Sequence, residues 1–471
     1  MRPLVEKSPD VPDMGRVNRI HFVGVGGSGM CGIAEVLLHQ GYSVTGSDIA
    51  DSSVVRRLAE LGAQVSVGHE AHNVVGSDVV VVSSAVDTDN PEIVEARRQR
   101  IPVVARAEML GELMRYRRGI AVAGTHGKTT TTGLITSIFQ AAGLDPTFVV
   151  GGLLKSEGRN AKLGDGKYLI AEADESDASF LFLQPMVAVI TNVDQDHLSA
   201  YDHDFEKLKQ TFIQFVHRLP FYGHVFLCLD DKPACSLMPE LARPVYTYGL
   251  SAEANFRARD IEYEESVWRF TVERPEERSE LNVELPLPGF HNVRNAVAAI
   301  AVATEESIAD EAIRQGLKNF SGVGRRFETR EITVREKHLT LVDDYGHHPT
   351  EVKNVLDTAR LVWPSRRLLM VYQPHRYTRT RDLYDDFVRV LSEVDALILV
   401  EIYSAGEQAI PGADSKSLAA GIRQRGGVNP IVVSDPNEAR EMVKKLANEG
   451  DVVIVQGAGN VSLVSAGMES C

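Results

Sequence analysis

Short apolar runs alternate with helical stretches along the first hundred residues. IHFVGVG (20–26) and VVVVSSA (79–85) are typical of buried strands, and GMCGIAEVLLHQGY (29–42) carries apolar side chains at helical spacing. Short loops join these segments, and such an alternation predicts a parallel sheet with helices on both faces. A strand end followed by a helix in IPVVARAEMLGELM (101–114) indicates that this first domain ends nearby.

The same pattern begins again twice further along the chain. Near-continuous apolar runs at 119–124, 168–174 and 186–194 are typical of buried parallel strands, whereas polar alternation over 245–285 favours a small antiparallel patch. GVGRRFE (322–328) is interpreted as a linker into a last alternating unit. We therefore predict an α/β protein of three domains. They are a Rossmann-like parallel sheet (1–106), a P-loop ATPase-type sheet with the antiparallel patch (107–321) and a C-terminal Rossmann-like sheet (322–471).

Composition excludes several classes of protein. A chain of 471 residues is too long for one core, and its 50 basic against 65 acidic residues give a net charge of −15. This balance argues against a nucleic-acid or anionic-membrane partner. No apolar run approaches the roughly 20 residues of a membrane helix, the N-terminus does not resemble a secretion signal, and four scattered cysteines suit neither a disulfide scaffold nor a zinc site. We expect a cytoplasmic protein.

A first glycine cluster follows the first predicted strand and opens a helix. Glycines here allow a tight turn and let backbone amides approach a diphosphate, and Asp48 closes the next strand where an acid would meet a ribose hydroxyl. The motif predicts nucleotide-diphosphate binding, and a purely structural turn is the alternative. It does not tell a nicotinamide cofactor from a uridine diphospho-sugar. The cluster is Gly24, Gly26, Gly27, Ser28, Gly29 and Met30.

A second loop, GTHGKTT (124–130), lies between an apolar strand and a helix. Its amides can cradle phosphates, Lys128 can neutralise the transferred phosphate, and the Thr129 hydroxyl can bind magnesium. Val122 stands where the common form of the motif has a glycine, so this loop is a shorter variant. It is the strongest local signal in the sequence.

Further polar residues lie beyond predicted strands or at a helix start. The acids of EADESD (172–177), with Asp196 and His197, suggest a magnesium site, and a solvated acidic loop is the alternative. Asn292 and Asn295 share one face of a helix, where they could contact a nucleotide or cap the helix. Arg326 could clamp a phosphate, and Asp344 belongs to a polar cluster that follows a strand. Arg376 and Arg379 suit a carboxylate.

Taken together, the motifs resemble the Mur ligase family of peptidoglycan synthesis. GTHGKTT, EADESD, TNVDQDH, HNVRN, GRRFE and DDYGHHP occur in the family's order, and the likeness extends over residues 20–460. GVGGSGM, GTHGKTTT, QPHRYTRTRDL and PGADS are most similar to the family member that adds L-alanine. Six motifs in one order across three predicted domains make the resemblance specific.

The resemblance implies an ATP- and Mg²⁺-dependent reaction in cytoplasmic cell-wall synthesis, and thus in cell shape and division. ATP would phosphorylate the lactyl carboxylate of UDP-N-acetylmuramate, and the amine of L-alanine would attack the acyl phosphate, giving UDP-N-acetylmuramoyl-L-alanine, ADP and phosphate. Small molecules would be the partners, and the oligomeric state stays open. Domain closure on substrate binding is expected.

The resemblance also implies roles for individual residues. Those implied to be catalytic are Lys128, His197, Arg326, Asp344 and His347. Those implied to bind ATP are Gly124, Thr125, His126, Gly127, Lys128, Thr129, Thr130, Asn292, Asn295, Arg326 and Asp344. Those implied to bind the UDP-sugar are Gly24, Gly26, Gly27, Ser28, Gly29, Met30, Asp48 and Ser84. The amino acid would meet His375, Arg376 and Arg379, and the metal would meet Thr129, Glu172 and His197.

One departure and three rival functions stand beside this interpretation. Several family members carry a carbamylated lysine after the Asp-His pair, where this chain aligns Gln210, with Lys209 beside it. A nicotinamide-dependent oxidoreductase would leave the Lys128 loop unexplained. An ATP-operated sensor of a nucleotide sugar would hydrolyse ATP without forming an amide. A murein-recycling ligase would add a tripeptide to the same sugar nucleotide.

Overall fold

The N-terminal part of the chain forms a parallel sheet. The computed structural model describes residues 14–83, 86–275 and 279–468. The strand order is β3-β2-β1-β4-β5, which is five of the six strands of the doubly wound arrangement that binds nucleotides at the carboxyl ends of its strands. The strands are β1 (Arg19–Val23), β2 (Ser43–Asp48), β3 (Gln64–Val67), β4 (Val79–Val82) and β5 (Val103–Ala105). The predicted Rossmann-like sheet is confirmed.

Three α-helices connect strands of this sheet, and a fourth follows its last strand. The connecting helices are α1 (Ser28–His39), α2 (Ser53–Glu60) and α3 (Pro91–Arg98), and α4 (Arg106–Met114) follows β5. Ser52 and Asn90 cap α2 and α3 with their side chains, whereas Gly27 begins α1 without any side-chain cap. The first N–H groups of α1 are therefore available to a ligand.

The central sheet is mixed and contains the phosphate loop. Its order is β15-β14-β13-β12-β11-β10-β6-β9-β7-β8, and β6 pairs in parallel with both β9 and β10. The strands are β6 (Arg118–Ala123), β7 (Thr147–Leu154), β8 (Arg159–Lys162), β9 (Tyr168–Glu172), β10 (Val187–Ile190), β11 (His224–Cys228), β12 (Val245–Gly249), β13 (Phe256–Glu264), β14 (Val267–Glu273) and β15 (Leu281–Leu285). The helices are α5 (Lys128–Ala141), α6 (Phe205–His217), α7 (Lys232–Cys235), α8 (His291–Glu305) and α9 (Asp310–Asn319).

The antiparallel part of the central sheet begins later than the sequence suggested. β12 still pairs in parallel with β11 and with β13, so the polar alternation from residue 245 includes one parallel strand. Between β13 and β14, Glu265 and Ser266 both have positive φ, 52° and 66°. This tight turn reverses the chain and starts the antiparallel patch.

The C-terminal sheet is parallel except at one edge. Its order is β16-β17-β21-β18-β19-β20, and only the β16–β17 pair is antiparallel in the described residues. The strands are β16 (Glu328–Val334), β17 (Lys337–Asp344), β18 (Leu368–Tyr372), β19 (Ala396–Val400), β20 (Ile431–Val433) and β21 (Val452–Gln456). The helices are α10 (Pro349–Val362), α11 (Tyr377–Asp382), α12 (Tyr384–Leu391), α13 (Ser415–Arg425), α14 (Pro436–Leu446) and α15 (Ser462–Ala466).

The described chain forms two compact units. One is drawn from residues 1–262, 269–285 and 294–321, and the other from 263–268, 286–293 and 322–471. The predicted α/β architecture of three sheets is confirmed, whereas the domain boundaries after residues 106 and 321 stay predictions. In the described part of the chain, no helix has the length and apolar character that crossing a membrane requires.

Candidate active site

The phosphate loop leaves the carboxyl end of β6, between the ends of its two parallel neighbours. Val122 pairs with Glu172 of β9, and Ala123 pairs with Ile190 of β10. The EADESD and TNVD segments that follow β9 and β10 must therefore flank the loop. This is the physical reason that three motifs distant in sequence form one site.

Residues after β10 brace the loop. Asn192 accepts a hydrogen bond from the His126 N–H at 2.8 Å, and its amide donates to the His126 carbonyl at 2.9 Å. Thr191 donates its hydroxyl to the same carbonyl at 2.6 Å, and Thr125 accepts from the Asp194 N–H at 2.9 Å. The His126 ring lies 3.2 Å from Asp194. Thr191, Asn192 and Asp194 were not among the predicted site residues, although their motif was recognised.

Two loop positions require glycine. Gly124 and Gly127 have φ of +127° and +83°, where L side chains are strained. An added Cβ would lie 2.1 Å from Thr191 Oγ1 at the first position and 2.7 Å from Asn295 Oδ1 at the second. Gly127 begins α5, whose first turn has no acidic residue and, among the described side chains, no cap. The amides at the start of α5 are thus open to an anion, as a bound triphosphate requires.

Lys128 is held by a buried carboxylate. Its Nζ lies 2.7 and 2.9 Å from the Glu175 oxygens and donates to the Gly124 carbonyl at 2.6 Å. The Glu175 side chain is 2% exposed. Burial raises the pKa of the Glu175 carboxyl to about 7, although the Lys128 ammonium favours its ionised form. Burial would lower the pKa of Lys128, but the surrounding carboxylates of Glu175, Asp174 and Glu172 raise it.

Two of the three residues predicted to hold metal, Thr129 and Glu172, offer oxygen donors. Thr129 is buried, and no described residue hydrogen-bonds to its hydroxyl, so that oxygen is available to a ligand. The Glu172 carboxylate accepts the Gly151 N–H at 2.7 Å through one oxygen. His197 opens the turn at Leu198–Tyr201 with a φ of +54°, and its ring lies 3.5 Å from Asp196. Hydroxyl and carboxylate oxygens fit Mg²⁺ in their chemistry.

The two asparagines are on the first turn of α8, as predicted. Both are buried, and Asn292 donates to the Pro288 carbonyl at 2.6 Å. Asn295 lies against Gly127. Contact of either with ATP stays a prediction.

Asp48, the acid predicted to accompany the first glycine cluster, hydrogen-bonds to the cluster itself. The Gly26 N–H donates to Asp48 at 2.8 Å, and Gly24 and Val25 donate to the Ser47 carbonyl at 2.9 and 3.0 Å. Met30 is buried in the first turn of α1. Asp48 therefore positions the loop itself, and its contact with a ribose stays a prediction. Ser84 lies outside the described residues.

Within the C-terminal unit, Asp344 organises the start of the predicted site. It is buried and accepts hydrogen bonds from the Phe327 and Gly346 N–H groups and from Gln456, at 2.8, 2.7 and 2.9 Å. Burial raises the pKa of the Asp344 carboxyl, against the effect of the nearby Arg326 guanidinium. Arg326 lies 5.5 Å from the centre of the Tyr345 ring and 3.7 Å from Glu351.

The residues predicted to meet the amino acid lie in the same unit, where His375 is close to the predicted catalytic residue His347. The His347 and His375 rings are 5.6 Å apart, and His375 stacks on Tyr403 at 5.5 Å. Arg379 is buried and donates to the His375 carbonyl at 3.1 Å. Arg376 lies 3.6 Å from Glu407. Two histidines and two arginines at strand ends suit recognition of a carboxylate.

The two residues from the departure noted above contact nearby acidic residues. Lys209 pairs with Glu206 at 2.7 Å on α6, and the exposed Gln210 lies 3.3 Å from Glu240.

Three family models match the chain in series and together span most of it. They are the Mur ligase family catalytic domain (19–118), the Mur ligase middle domain (122–303) and the Mur ligase glutamate ligase domain (325–459). The chain belongs to the Mur ligase family. It is accordingly an ATP-dependent ligase of peptidoglycan precursors, in a family that typically uses Mg²⁺.

Solved structures with the same fold include several members of this family. UDP-N-acetylmuramate-alanine ligase MurC from Thermotoga maritima is 28% identical with a TM-score of 0.81, over 96% of this chain and 98% of that one. The murein peptide ligase from Psychrobacter arcticus is 23% identical with a TM-score of 0.73, over 96% and 98%. MurF from Acinetobacter baumannii is 18% identical with a TM-score of 0.61, over 92% and 91%. The last two likenesses concern the fold alone.

Proposed function

We propose that this chain joins L-alanine to the lactyl carboxylate of UDP-N-acetylmuramate and converts ATP to ADP and phosphate. The observation that carries the proposal is its full-length likeness to the alanine-adding ligase of Thermotoga maritima. The clustering of His347, His375 and Arg379 supports it, because these groups suit the carboxylate of a small amino acid. A tripeptide-adding ligase is the alternative, since the murein peptide ligase has the same fold.

In the proposed reaction a carboxylate oxygen of the sugar nucleotide takes the γ-phosphoryl group of ATP. The amine of alanine then attacks the acyl carbon, the new C–N bond forms as the C–O bond to phosphate breaks, and the amine loses its proton. The amides at the start of α5 hold the phosphates, and Lys128 moves from Glu175 to neutralise them. Thr129, Glu172 and His197 would hold Mg²⁺, which neutralises charge on the transferred phosphoryl group.

Phosphate release tests this proposal. Purified protein is given ATP, Mg²⁺ and UDP-N-acetylmuramate, and L-alanine, glycine, L-serine or a tripeptide is added in turn. We expect release that requires both the sugar nucleotide and L-alanine. Release that is independent of any amino acid contradicts a ligase, and release stimulated by the tripeptide alone supports the alternative.

Lys128→Ala is expected to abolish this release. The substitution leaves Glu175 buried without its cation, so Lys128→Ala/Glu175→Gln is a second variant that keeps the site neutral. Lys318→Ala, on the exposed face of α9, is the matched control and should retain activity. Retained turnover in both Lys128 variants would contradict the assigned role.

A further inference from the structure

Arg106 is a charged residue beside the first glycine loop. It belongs neither to that glycine cluster nor to the GTHGKTT loop. It is the first residue of α4, and its side chain reaches the beginning of α1. A Cβ added to Gly29 would lie 2.2 Å from Arg106 Nη1 and 3.1 Å from its Cδ. The arginine thus occupies the space that glycine leaves, and its side chain remains 25% exposed.

The N-terminus of α1 is an unfavourable neighbour for this guanidinium. α1 is 12 residues long, and its N-terminus carries the positive end of the helix dipole. Its first turn contains no acidic residue, and no described side chain caps it. A guanidinium and a helix N-terminus that face one place repel each other unless an anion lies between them. The glycine loop, independently, predicts a diphosphate there.

Asp174 is the counter-charge that the structure provides. Its Oδ2 lies 3.2 Å from Arg106 Nη2, and its Oδ1 accepts the Ser176 N–H at 3.1 Å. Asp174 comes from the EADESD segment after β9, and it also stabilises the Lys128 ammonium electrostatically. One carboxylate therefore acts on the cations of both predicted phosphate sites.

We infer that Arg106 binds the diphosphate of the sugar nucleotide, and that Asp174 holds its guanidinium in place and competes for it. The inference rests on the proposed function, because the ligand is the sugar nucleotide named there. Arginine suits this ligand, since its planar fork donates two parallel hydrogen bonds to phosphate oxygens. A purely structural salt bridge between α4 and the segment after β9 is the competing account.

Direct binding separates the two accounts, because they differ in the effect of Asp174. Isothermal titration calorimetry with UDP-N-acetylmuramate, without ATP or metal, compares wild type with Arg106→Gln, Arg106→Lys and Asp174→Asn. We expect Arg106→Gln to weaken binding about 10- to 100-fold, Arg106→Lys to weaken it less, and Asp174→Asn to leave it equal or tighter. Uridine, which lacks the diphosphate, should bind wild type and Arg106→Gln alike in an NMR titration. Arg98→Gln, exposed on α3, is the control.

Each contrary outcome has a distinct meaning. If Arg106→Gln and Asp174→Asn weaken binding equally, the pair is structural and the inference is wrong. The inference is also wrong if Arg106→Gln binds UDP-N-acetylmuramate as wild type does. It is wrong as well if Arg106→Gln weakens the binding of uridine as much as the binding of UDP-N-acetylmuramate. If wild type itself does not bind UDP-N-acetylmuramate, the proposed function fails and the inference fails with it. Thermal unfolding checks each variant, and Arg106→Lys carries the test if Arg106→Gln does not fold.

Discussion

At the scale of single residues, the phosphate loop depends on glycine for two separate reasons. Gly127 has a left-handed backbone conformation, and it also lies against Asn295. Gly143 has a similar φ of +71° but nothing within 4 Å of an added Cβ. A comparison of substitutions at Gly127 and Gly143 therefore separates the effect of backbone strain from the effect of a close contact.

Gly127→Ala should impair ATP binding, whereas Gly143→Ala should not. Both substitutions cost about 1 kcal/mol of stability through backbone strain, because alanine is disfavoured at positive φ. At Gly127 the new methyl group would also displace Asn295 and the start of α5. We expect Kd for an ATP analogue to rise more than tenfold for Gly127→Ala alone, as measured by calorimetry. Equal affinities in the two variants would contradict the described geometry.

Glu175 gives the site a pH dependence that can be measured. Its folded pKa of about 7 is above the ordinary 4.5, so the folded state binds more protons than the unfolded state between these values. The contribution of the group to stability is full below pH 4.5 and is lost as pH rises through about 7. As pH rises from 4.5 through about 7, the free energy of unfolding of wild type should fall, relative to that of Glu175→Gln, by on the order of 3 kcal/mol or less.

Urea unfolding of both proteins at intervals from pH 4.5 to 8, followed by circular dichroism, checks this sign. Glutamine keeps the volume of the side chain and removes its titration, so the difference between the proteins isolates Glu175. A difference that is constant with pH, or that moves in favour of wild type as pH rises, would contradict the elevated pKa.

The sequence could predict part of this residue-scale account. Glycine, lysine and threonine at fixed spacing between a strand and a helix indicated the loop, because each residue type has a role that few others can fill. Which acid of EADESD pairs with Lys128 could not be predicted, since all of its acids leave the same strand and only the fold of the segment buries Glu175. Arg106 carried no motif at all.

At the scale of elements, α1 is fixed by a buried carboxylate that connects three segments. Glu35 of α1 accepts from Arg57 of α2 at 2.9 Å through both oxygens and lies 3.6 Å from Arg159 of β8. Its side chain is 4% exposed, whereas each arginine is about one third exposed. An added Cβ at Gly32 would lie 2.9 Å from Ala161, so α1 also packs closely on β8.

Glu35→Gln should destabilise the protein, because it leaves two arginines facing a neutral side chain. We expect a loss of about 1–3 kcal/mol, below the usual figure for a buried pair because solvent screens the exposed guanidinium groups. Chemical denaturation measures it, with Glu60→Gln on the exposed face of α2 as the control. A variant as stable as this control would show that the cluster contributes no net stability.

The sequence did not predict two parts of the sheets that lie at or next to an edge. The hairpin of β7 and β8 and the antiparallel strand β16 were missed, and residues 322–328 were interpreted only as a linker. Central parallel strands are apolar throughout because both faces are buried, so their pattern is strong. ETREITV in β16 has one solvated face, and alternation of this kind is not distinct from that of a polar loop.

At the scale of the whole molecule, the order of the motifs predicted more than any one motif did. The N-terminal glycines alone were compatible with a nicotinamide cofactor, and the family models exclude that as the main interpretation by matching Mur ligase domains in series. The choice between alanine and a tripeptide is different in kind. In the proposed site it would depend on the shape and charge around His347, His375 and Arg379, which the residue types of the motifs do not define.

The most direct test of the central claim is a competition between the two amino substrates. The protein is incubated with ATP, Mg²⁺, UDP-N-acetylmuramate and equal amounts of L-alanine and the tripeptide, and the sugar-nucleotide product is identified by mass spectrometry. The account predicts a product heavier than the substrate by one alanine residue, formed in step with phosphate release. A tripeptide adduct, or phosphate release without any adduct, would contradict it.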